Sequence, residues 1–200
     1  MSRKIIAVDI DDVLGVFADE FVKYSNGKWG TKLTVEDYTE HWAEMWQVDK
    51  DLTNARAKEW YKSGITGALP ANSHAKEGLR KLSEKYDMVI TTSRHSTLRQ
   101  ETEEWVQKHY PNIFTSVHFA GIWENQDKSH DELIKVTKAE LCKKLGADYL
   151  IDDQPKHCLA AAEAGIEALL FGDYPWNQDV KLIKGVRRVK NWQEVLEILL

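Results

Sequence analysis

The chain has 200 residues, of which 42% are hydrophobic and 30% are charged, and its formal net charge is -5. This length suits one domain, or one domain that carries a smaller insertion, and the composition is typical of a folded globular protein. The negative net charge argues against nucleic acid or a membrane surface as the main partner, but it leaves small anionic substrates open. The two cysteines are expected to be buried and reduced.

We do not expect the first residues to form a targeting segment. Met1 and the three residues after it precede a short apolar run, which lacks the length of a signal-peptide core and is interrupted by Asp9. The same run is too short to span a bilayer. We therefore expect a cytoplasmic protein without membrane association.

The predicted elements begin with a continuous apolar strand over residues 4–10. Such a run is typical of a strand that is buried on both faces of a parallel sheet. A helix is predicted over residues 13–24, because apolar residues recur there at helical spacing, and the polar stretch 25–30 ends it.

Residues 31–69 differ from the rest of the chain in pattern. One helix is predicted over 34–47, because a threonine is followed three residues later by an acid, and a second helix over 51–62. No strand pattern occurs here, and four of the eight tryptophans fall between residues 29 and 60. We therefore expect a helical cap, residues 15–71, inserted into a core of residues 1–14 and 72–200.

From residue 72 onward, predicted helices and strands alternate. The strands are expected at 87–92, 116–120, 149–153, 167–171 and 186–189. The helices are expected from a cap at Asn72 or Ser73 to about 86, and at 96–109, 138–145, 155–164 and 191–199. Residues 122–134 are polar and ambiguous. This alternation predicts an α/β fold, a three-layer doubly wound parallel sheet with a small helical cap inserted after the first strand.

Three predicted strands end in polar residues, and such sheets bind ligands at the carboxyl ends of their strands. The residues are Asp9 and Asp11, then Thr92, Ser93 and Arg94, then Asp152 and Asp153. Lys138 begins the helix before the fourth strand, near the same edge, with Lys135 as its alternative. Asp9, the backbone carbonyl of Asp11, and Asp152 offer hard oxygen ligands, which favour Mg²⁺. Hydroxyl groups and a lysine suit phosphate oxygens.

The order of these motifs is informative: Asp9-x-Asp11 after an apolar strand, Thr92 after another, Lys138 on a helix, and Asp152-Asp153 after the next strand. In this order the chain resembles the haloacid-dehalogenase-like phosphohydrolase superfamily. Within it, the chain is most similar to the 5′(3′)-deoxyribonucleotidase family and its bacterial and phage relatives, through residues 8–14 with Phe17, 90–93, 150–155 and 174–177. The same Asp-x-Asp spacing at Asp49 and Asp51 is expected to be a solvated helix start.

The resemblance implies a Mg²⁺-dependent phosphomonoesterase that works through an aspartyl-phosphate. Asp9 would be the nucleophile and Asp11 the general acid and base, with Thr92 and Lys138 completing the catalytic set. The implied metal ligands are Asp9, Asp11, Asp152 and Asp153. Many members of the superfamily have Gly where this chain has Asp12, and the sequence assigns no role to that acid.

The implied substrate is a small phosphorylated metabolite, with a nucleoside monophosphate first. The expected substrate-binding residues are Phe17, Thr92, Ser93, Arg94, Lys138 and Trp46. The cap tryptophans are expected mainly in the core of the cap, with one or two in contact with ligand. Arg94 could equally be a surface charge.

Several alternatives remain open. The nearest is a phosphatase for another small phosphomonoester, such as a sugar phosphate. A non-catalytic binding module with this fold is a second alternative, although intact Asp9, Asp11, Lys138 and Asp152 count against it. A nucleic-acid end phosphatase is a third, but the chain has no basic stripe. The oligomeric state is open, with a homodimer as one alternative.

Overall fold

The computed structural model describes residues 2–120 and 137–200. Its strands are β1 (Ile5–Val8), β2 (Asp87–Thr92), β3 (Phe114–Phe119), β4 (Tyr149–Asp152), β5 (Glu167–Phe171) and β6 (Val186–Val189). They form one sheet in the order β3-β2-β1-β4-β5-β6, and every pairing is parallel. The chain winds outward from β1 on one side and from β4 on the other, so the crevice of the sheet opens above these two strands.

The helices within the described residues are α1 (Ala18–Trp29), α2 (Trp42–Trp46), α3 (Lys50–Tyr61), α4 (Ala75–Ser83), α5 (Arg99–His109), α6 (Lys138–Leu145), α7 (Pro155–Glu163) and α8 (Trp192–Leu199). Alternate side chains of β1 belong to two different hydrophobic clusters, one on each face of the sheet. Ile6 and Val8 pack with residues of α4, α5 and α8, whereas Ala7 packs with residues of α6 and α7. The predicted three-layer, doubly wound α/β fold is therefore confirmed. No helix in the described ranges has the length and apolar character that crossing a membrane requires.

Several predicted elements agree closely with the structure. The strands at 87–92, 167–171 and 186–189 have the predicted bounds. Thr137 caps α6 through reciprocal hydrogen bonds with Glu140, and the side chain of Asn191 caps α8. Cys142 and Cys158 are both buried and unpaired. The ambiguous stretch 122–134 and the alternative lysine, Lys135, lie outside the described residues.

The helix predicted over 13–24 was wrong at both ends, and α1 continues through the polar stretch to Trp29. The chain turns after β1, where the backbone N–H groups of Leu14 and Gly15 both donate to the carbonyl of Ile10, at 2.8 and 2.9 Å. Asp12 has a φ of 59°, which a helix does not accommodate. The helix therefore begins only at Ala18.

Two other helix predictions were also wrong in part. The capping pattern at Thr34 is real, but it starts a single 3-10 turn, Val35–Asp37, because the chain becomes extended at Tyr38; a separate helix, α2, follows. The helix predicted after Asn72 or Ser73 starts later, after His74, and no side chain caps it. The backbone N–H of Asn72 instead donates to the carbonyl of Leu14 at 2.7 Å.

The helical insertion, defined as residues 15–71, contains α1, α2 and α3 and packs around aromatic side chains. The ring of Phe21 lies 4.6 Å from that of Trp42, 4.8 Å from that of Trp60 and 5.6 Å from that of Trp46. The two chain segments that join the insertion to the sheet run side by side in opposite directions, and Gly15 pairs with Ala71. A Cβ atom at Gly15 would lie 3.1 Å from the ring of Trp105, so this close approach favours glycine.

Candidate active site

The carboxyl ends of β1 and β4 and the first turn of α6 meet in one buried cluster of charged groups. Asp9 follows β1, Asp152 and Asp153 lie at the end of β4, and Lys138 opens α6. Lys138 is 1% exposed. Parallel strands whose carboxyl ends share an edge bring these side chains together, as the sequence predicted for the sheet.

Lys138 joins two of the carboxylates. Its Nζ lies 2.7 Å from Oδ2 of Asp152 and 2.9 Å from Oδ1 of Asp9. Burial opposes the charged ammonium group, but the negative charges of Asp152 and Asp9 outweigh it and raise the pKa of Lys138 above its ordinary value. Lys138 therefore stays protonated, even at a helix N-terminus, where the helix dipole disfavours a cation.

Asp9, Asp152 and Asp153 each offer a carboxylate oxygen, and these oxygens lie within 4.8 Å of one another. Burial raises the pKa of Asp9 to about 8, with Lys138 opposing the shift and Asp152 and Asp11 adding to it. Burial also raises the pKa of Asp153 well above its usual range, with the charges of Asp152 and Asp9 contributing. Within the described residues, this cluster places three acids beside one ammonium group. When all three acids are ionised, one divalent cation would balance the remaining charge. The donor set fits Mg²⁺.

The two acids at the end of β4 are held differently. Oδ2 of Asp152 accepts from Lys138, and its Oδ1 accepts from the backbone N–H of Gln154 at 2.9 Å. Oδ2 of Asp153 accepts from the side chains of Gln154 and Trp176, each at 2.7 Å. Its Oδ1 accepts no hydrogen bond from the described residues, so Asp153 has the freer oxygen for a ligand.

The loop after β5 also reaches this cluster. The side-chain amide of Asn177 donates to the backbone carbonyls of Asp153 and Phe171, at 3.1 and 3.0 Å. Arg188 on β6 donates in turn to Oδ1 of Asn177 at 2.9 Å. Trp176 and Asn177 belong to the segment that carried part of the resemblance, and two roles for this segment were open from the sequence: a wall of the pocket, or a contact that holds the loop in place.

Asp11 lies against Arg94. The Nε of Arg94 is 3.1 Å from both carboxylate oxygens of Asp11, and its Nη2 is 2.6 Å from Oδ1. Nη1 donates to the hydroxyl of Thr102 at 3.2 Å. Arg94, which we expected among the substrate-binding residues, thus directs its guanidinium group at Asp11 and Thr102.

The two hydroxyl residues after β2 are placed at the same edge. Thr92 is fully buried, and its Oγ1 accepts the backbone N–H of Arg94 at 3.2 Å. The Oγ of Ser93 is shielded from solvent and has no hydrogen-bond partner among the described residues. A buried hydroxyl without a partner carries a desolvation cost, which a ligand oxygen would offset.

Phe17 and Trp46 both lie in the aromatic core of the helical insertion. The ring of Phe17 is 5.4 Å from that of Phe21 and 5.6 Å from that of Trp60. Trp46 is 5% exposed, and its indole N–H donates to the hydroxyl of Ser25 at 3.2 Å. The structure therefore gives Trp46 packing partners within the insertion.

Two tyrosines of the insertion, which the sequence did not single out, contact the site region instead. The ring of Tyr38 lies 4.9 Å from that of Trp176. Burial, followed by the charges of Asp12, Glu40 and Asp153, raises the pKa of Tyr38 well above its ordinary value. Tyr61 stacks on His95, the residue after Arg94, with ring centres 5.2 Å apart.

Asp12 has a structural role that the sequence did not reveal. Its Oδ1 accepts the backbone N–H groups of Phe17 and Ala18, at 2.9 and 3.1 Å, where α1 begins. Aspartate tolerates the left-handed backbone found here better than most residues, although glycine adopts it most readily. Burial raises the pKa of Asp12 to about 7, while these two hydrogen bonds oppose the shift.

Comparison with known proteins agrees with this geometry. The chain is 26% identical over 203 residues to "Putative nucleotidase YqfW" of Bacillus subtilis, covering 96% of this chain and 91% of that one. It is 24% identical over 202 residues to a "Putative 5'(3')-deoxyribonucleotidase" of Staphylococcus aureus, covering 100% and 97%. A solved structure, a haloacid dehalogenase-like family hydrolase from Streptococcus pneumoniae, superposes with a TM-score of 0.70 at 16% identity, covering 98% of both chains.

The model of one protein family matches residues 3–200, nearly the whole chain. Together with the haloacid-dehalogenase-like fold, this match makes the protein a phosphoric monoester hydrolase of the nucleotidase type. The chain belongs to the family described as 5′ nucleotidase, deoxy (pyrimidine), cytosolic type C protein.

Proposed function

We propose that the protein is a Mg²⁺-dependent phosphomonoesterase that forms an aspartyl-phosphate on Asp9 and acts on (deoxy)nucleoside 5′-monophosphates. The observation that carries the proposal is the contact of Lys138 with both Asp9 and Asp152 inside a buried cluster of carboxylates. Burying like charges together is unfavourable for stability, so such a cluster is typical of a functional site.

Four groups would hold the metal ion: the carboxylates of Asp9, Asp152 and Asp153, and the backbone carbonyl of Asp11. Of the two acids at the end of β4, Asp153 has the freer oxygen, Oδ1, because both oxygens of Asp152 already accept hydrogen bonds. When bound, Mg²⁺ would reduce the repulsion between these carboxylates and an incoming phosphate.

The phosphate would lie between Asp9 and the residues that follow β2. Lys138 would neutralise phosphate oxygens without losing its proton, and the unpartnered hydroxyl of Ser93 would donate a hydrogen bond to one of them. A carboxylate oxygen of Asp9 would attack phosphorus as the bond from phosphorus to the leaving oxygen breaks.

Asp11 suits proton transfer to and from the substrate. Its side chain is 24% exposed, more than those of Asp9 and Asp152. It would give a proton to the leaving oxygen and would later take one from the water that hydrolyses the aspartyl-phosphate. These two steps return Asp9 and Asp11 to their starting states.

The helical insertion would act as a cap that excludes water and selects the leaving group. Its contacts near the site, through Tyr38 and Tyr61, support this role. Phe17 is our candidate for contact with the base, since its backbone N–H is held by Asp12 in the turn that follows Asp9 and Asp11. The family match supports a nucleoside monophosphate as the substrate.

The test is a panel of phosphomonoesters assayed with Mg²⁺, containing deoxynucleoside 5′- and 3′-monophosphates, ribonucleotides and sugar phosphates. We expect the deoxynucleoside monophosphates to turn over fastest, and acid quenching during turnover to trap a phosphorylated Asp9 peptide. Turnover of sugar phosphates alone would overturn the nucleotidase proposal and leave a phosphatase. A phosphate group on another residue would overturn the role of Asp9.

A further inference from the structure

Arg94 is a buried arginine, and each of its guanidinium nitrogens makes a hydrogen bond within the protein. Its side chain is 2% exposed, and each of its three guanidinium nitrogens donates a hydrogen bond to Asp11 or Thr102. The guanidinium group also lies over the ring of Trp105, with its carbon 5.9 Å from the ring centre. Nε and Nη2 are both directed at Asp11, so the geometry favours a role in holding this carboxylate over a role in binding the phosphate.

Hydrogen bonds hold both the backbone and the guanidinium group of Arg94 in place. Its backbone N–H donates to Thr92 Oγ1 at the end of β2, and its Nη1 donates to the fully buried Thr102 of α5. The planar guanidinium group of an arginine can bind both oxygens of a carboxylate and hold it in one orientation, which the ammonium group of a lysine cannot do. Arg94 therefore fixes the plane of the Asp11 carboxylate, while the side chain of Asp11 remains partly exposed.

We propose that Arg94 is the positioning residue for Asp11, and that it aims this carboxyl group at the leaving oxygen of the substrate. The inference rests on the proposed function. Before the first step Asp11 takes up a proton from solvent, to which its side chain is 24% exposed. In the step itself the phosphorus–oxygen bond to the leaving group breaks, Asp9 forms the new bond to phosphorus, and Asp11 passes that proton to the leaving oxygen. Arg94 exchanges no proton; it fixes the direction from which the proton arrives.

This role predicts a dependence on the leaving group. A nucleoside leaves as an alkoxide that needs a proton, whereas p-nitrophenolate is stable without one. A misplaced Asp11 should therefore slow the release of nucleoside much more than the release of p-nitrophenol. A loss of general structure, or of phosphate binding, would slow both reactions alike.

The experiment measures release of the leaving group in a single turnover, with Mg²⁺, for a deoxynucleoside 5′-monophosphate and for p-nitrophenyl phosphate. The proteins are wild type, Arg94→Met, Arg94→Lys, Asp11→Asn and the double variant Asp11→Asn/Arg94→Met. Arg80→Lys is the matched control, since Arg80 is an exposed arginine of α4 paired with Glu84. Circular dichroism and thermal melting check the fold of each protein.

We expect Arg94→Met to slow nucleoside release by about 10- to 100-fold, and Arg94→Lys to cause a smaller loss. Release of p-nitrophenol should change little, and the double variant should be no slower than Asp11→Asn. Equal losses on both substrates, or additive losses in the double variant, would overturn the positioning role. If Arg94→Met does not fold, the same comparison is made with Arg94→Lys. Wild-type protein inactive on every phosphomonoester would overturn the proposed function itself.

Discussion

The indole N–H of Trp176 donates a 2.7 Å hydrogen bond to Oδ2 of Asp153. This bond ties the loop after β5 to the carboxylate at the end of β4. Because Trp176 and Gln154 occupy the same oxygen, the other oxygen of Asp153 is left for a ligand. Orientation of an acid by neighbouring donors is a common way in which proteins tune metal sites.

Mg²⁺ should raise the melting temperature of the wild-type protein, because a ligand that binds only the folded state stabilises it. Asp153→Asn should remove this stabilisation, and EDTA should abolish phosphatase activity. Trp176→Phe should weaken Mg²⁺ binding by about 10- to 100-fold, because Asp153 loses one orienting donor. The measurement is thermal melting against Mg²⁺ concentration. An undiminished shift in Asp153→Asn would contradict the assignment of this ligand.

Asp9→Asn should reduce turnover of every phosphomonoester by about 10³-fold or more, because an amide oxygen cannot form the phosphorylated intermediate. Steady-state kinetics with a matched fold check by circular dichroism measures this effect. Asp51→Asn is the control, since Asp51 has the same Asp-x-Asp spacing but is exposed in the first turn of α3. Activity retained in Asp9→Asn would remove Asp9 as the nucleophile.

Trp46→Leu should lower stability without changing substrate affinity. The side chain fills the aromatic core of the helical insertion, so we expect a loss of about 2–3 kcal/mol in the free energy of unfolding. Urea unfolding and the KM for a deoxynucleoside monophosphate are measured together. A raised KM with unchanged stability would show that Trp46 stacks on the substrate after all.

The stability of Asp12 variants should depend on whether the new residue tolerates the left-handed backbone and whether it can cap α1. Asp12→Asn keeps an acceptor for the N–H groups of Phe17 and Ala18, so its stability should stay close to that of the wild type. Asp12→Gly should lose about 1 kcal/mol because the cap is gone. Asp12→Ala should lose about 1–2 kcal/mol more, because the left-handed backbone conformation is unfavourable for alanine. Urea unfolding at one pH gives the ranking, and equal losses for Gly and Ala would contradict it.

His157 should make the free energy of unfolding decrease as the pH falls below neutral. Its pKa lies well below 6.5 because of burial and the nearby charges of Lys138 and Lys156, while Glu40 acts in the opposite direction. Below pH 6.5 the unfolded chain takes up a proton that the folded state does not, so stability declines as pH falls, by about 1.4 kcal/mol per unit.

The measurement for His157 is urea unfolding in EDTA between pH 5 and 8, an interval of about 3 units that includes the ordinary histidine pKa. Because Asp9 and Asp12 have raised pKa values, they contribute stability of the opposite sign as pH falls, so the comparison is made with His157→Gln. The difference between the two proteins should be constant above pH 7 and should shift in favour of the variant below 6.5. Parallel curves throughout would refute the prediction.

Local sequence patterns were enough to predict the residues that meet at the carboxyl edge of the sheet. Asp9 and Asp152 follow buried strands, and parallel pairing then brings them together wherever the helices run. Local patterns did not predict the contact between Asp11 and Arg94, because the two residues are 83 positions apart in the sequence. The orientation of the Arg94 guanidinium group depends on its contacts with Thr102 and Trp105. The conformation of Asp12 depends on the turn after β1, which apolar spacing does not reveal.

Trp46 shows a further limit. Its aromatic side chain could serve stacking on a substrate or packing in a core, and composition does not separate these roles. The choice is made by how α1, α2 and α3 pack, which places Trp46 against Phe21 and Ser25. The strand alternation, by contrast, indicated the sheet because each strand is a short local pattern.

The antiparallel pairing of Gly15 with Ala71 brings the entry and exit of the helical insertion to one point on the core. The insertion is therefore attached as a branch rather than threaded through the sheet. Changes in its length or helix content need not alter the connections between the strands of the sheet. Under the proposed function, selection for a new leaving group would act on this branch while the order of the strands below it stays the same.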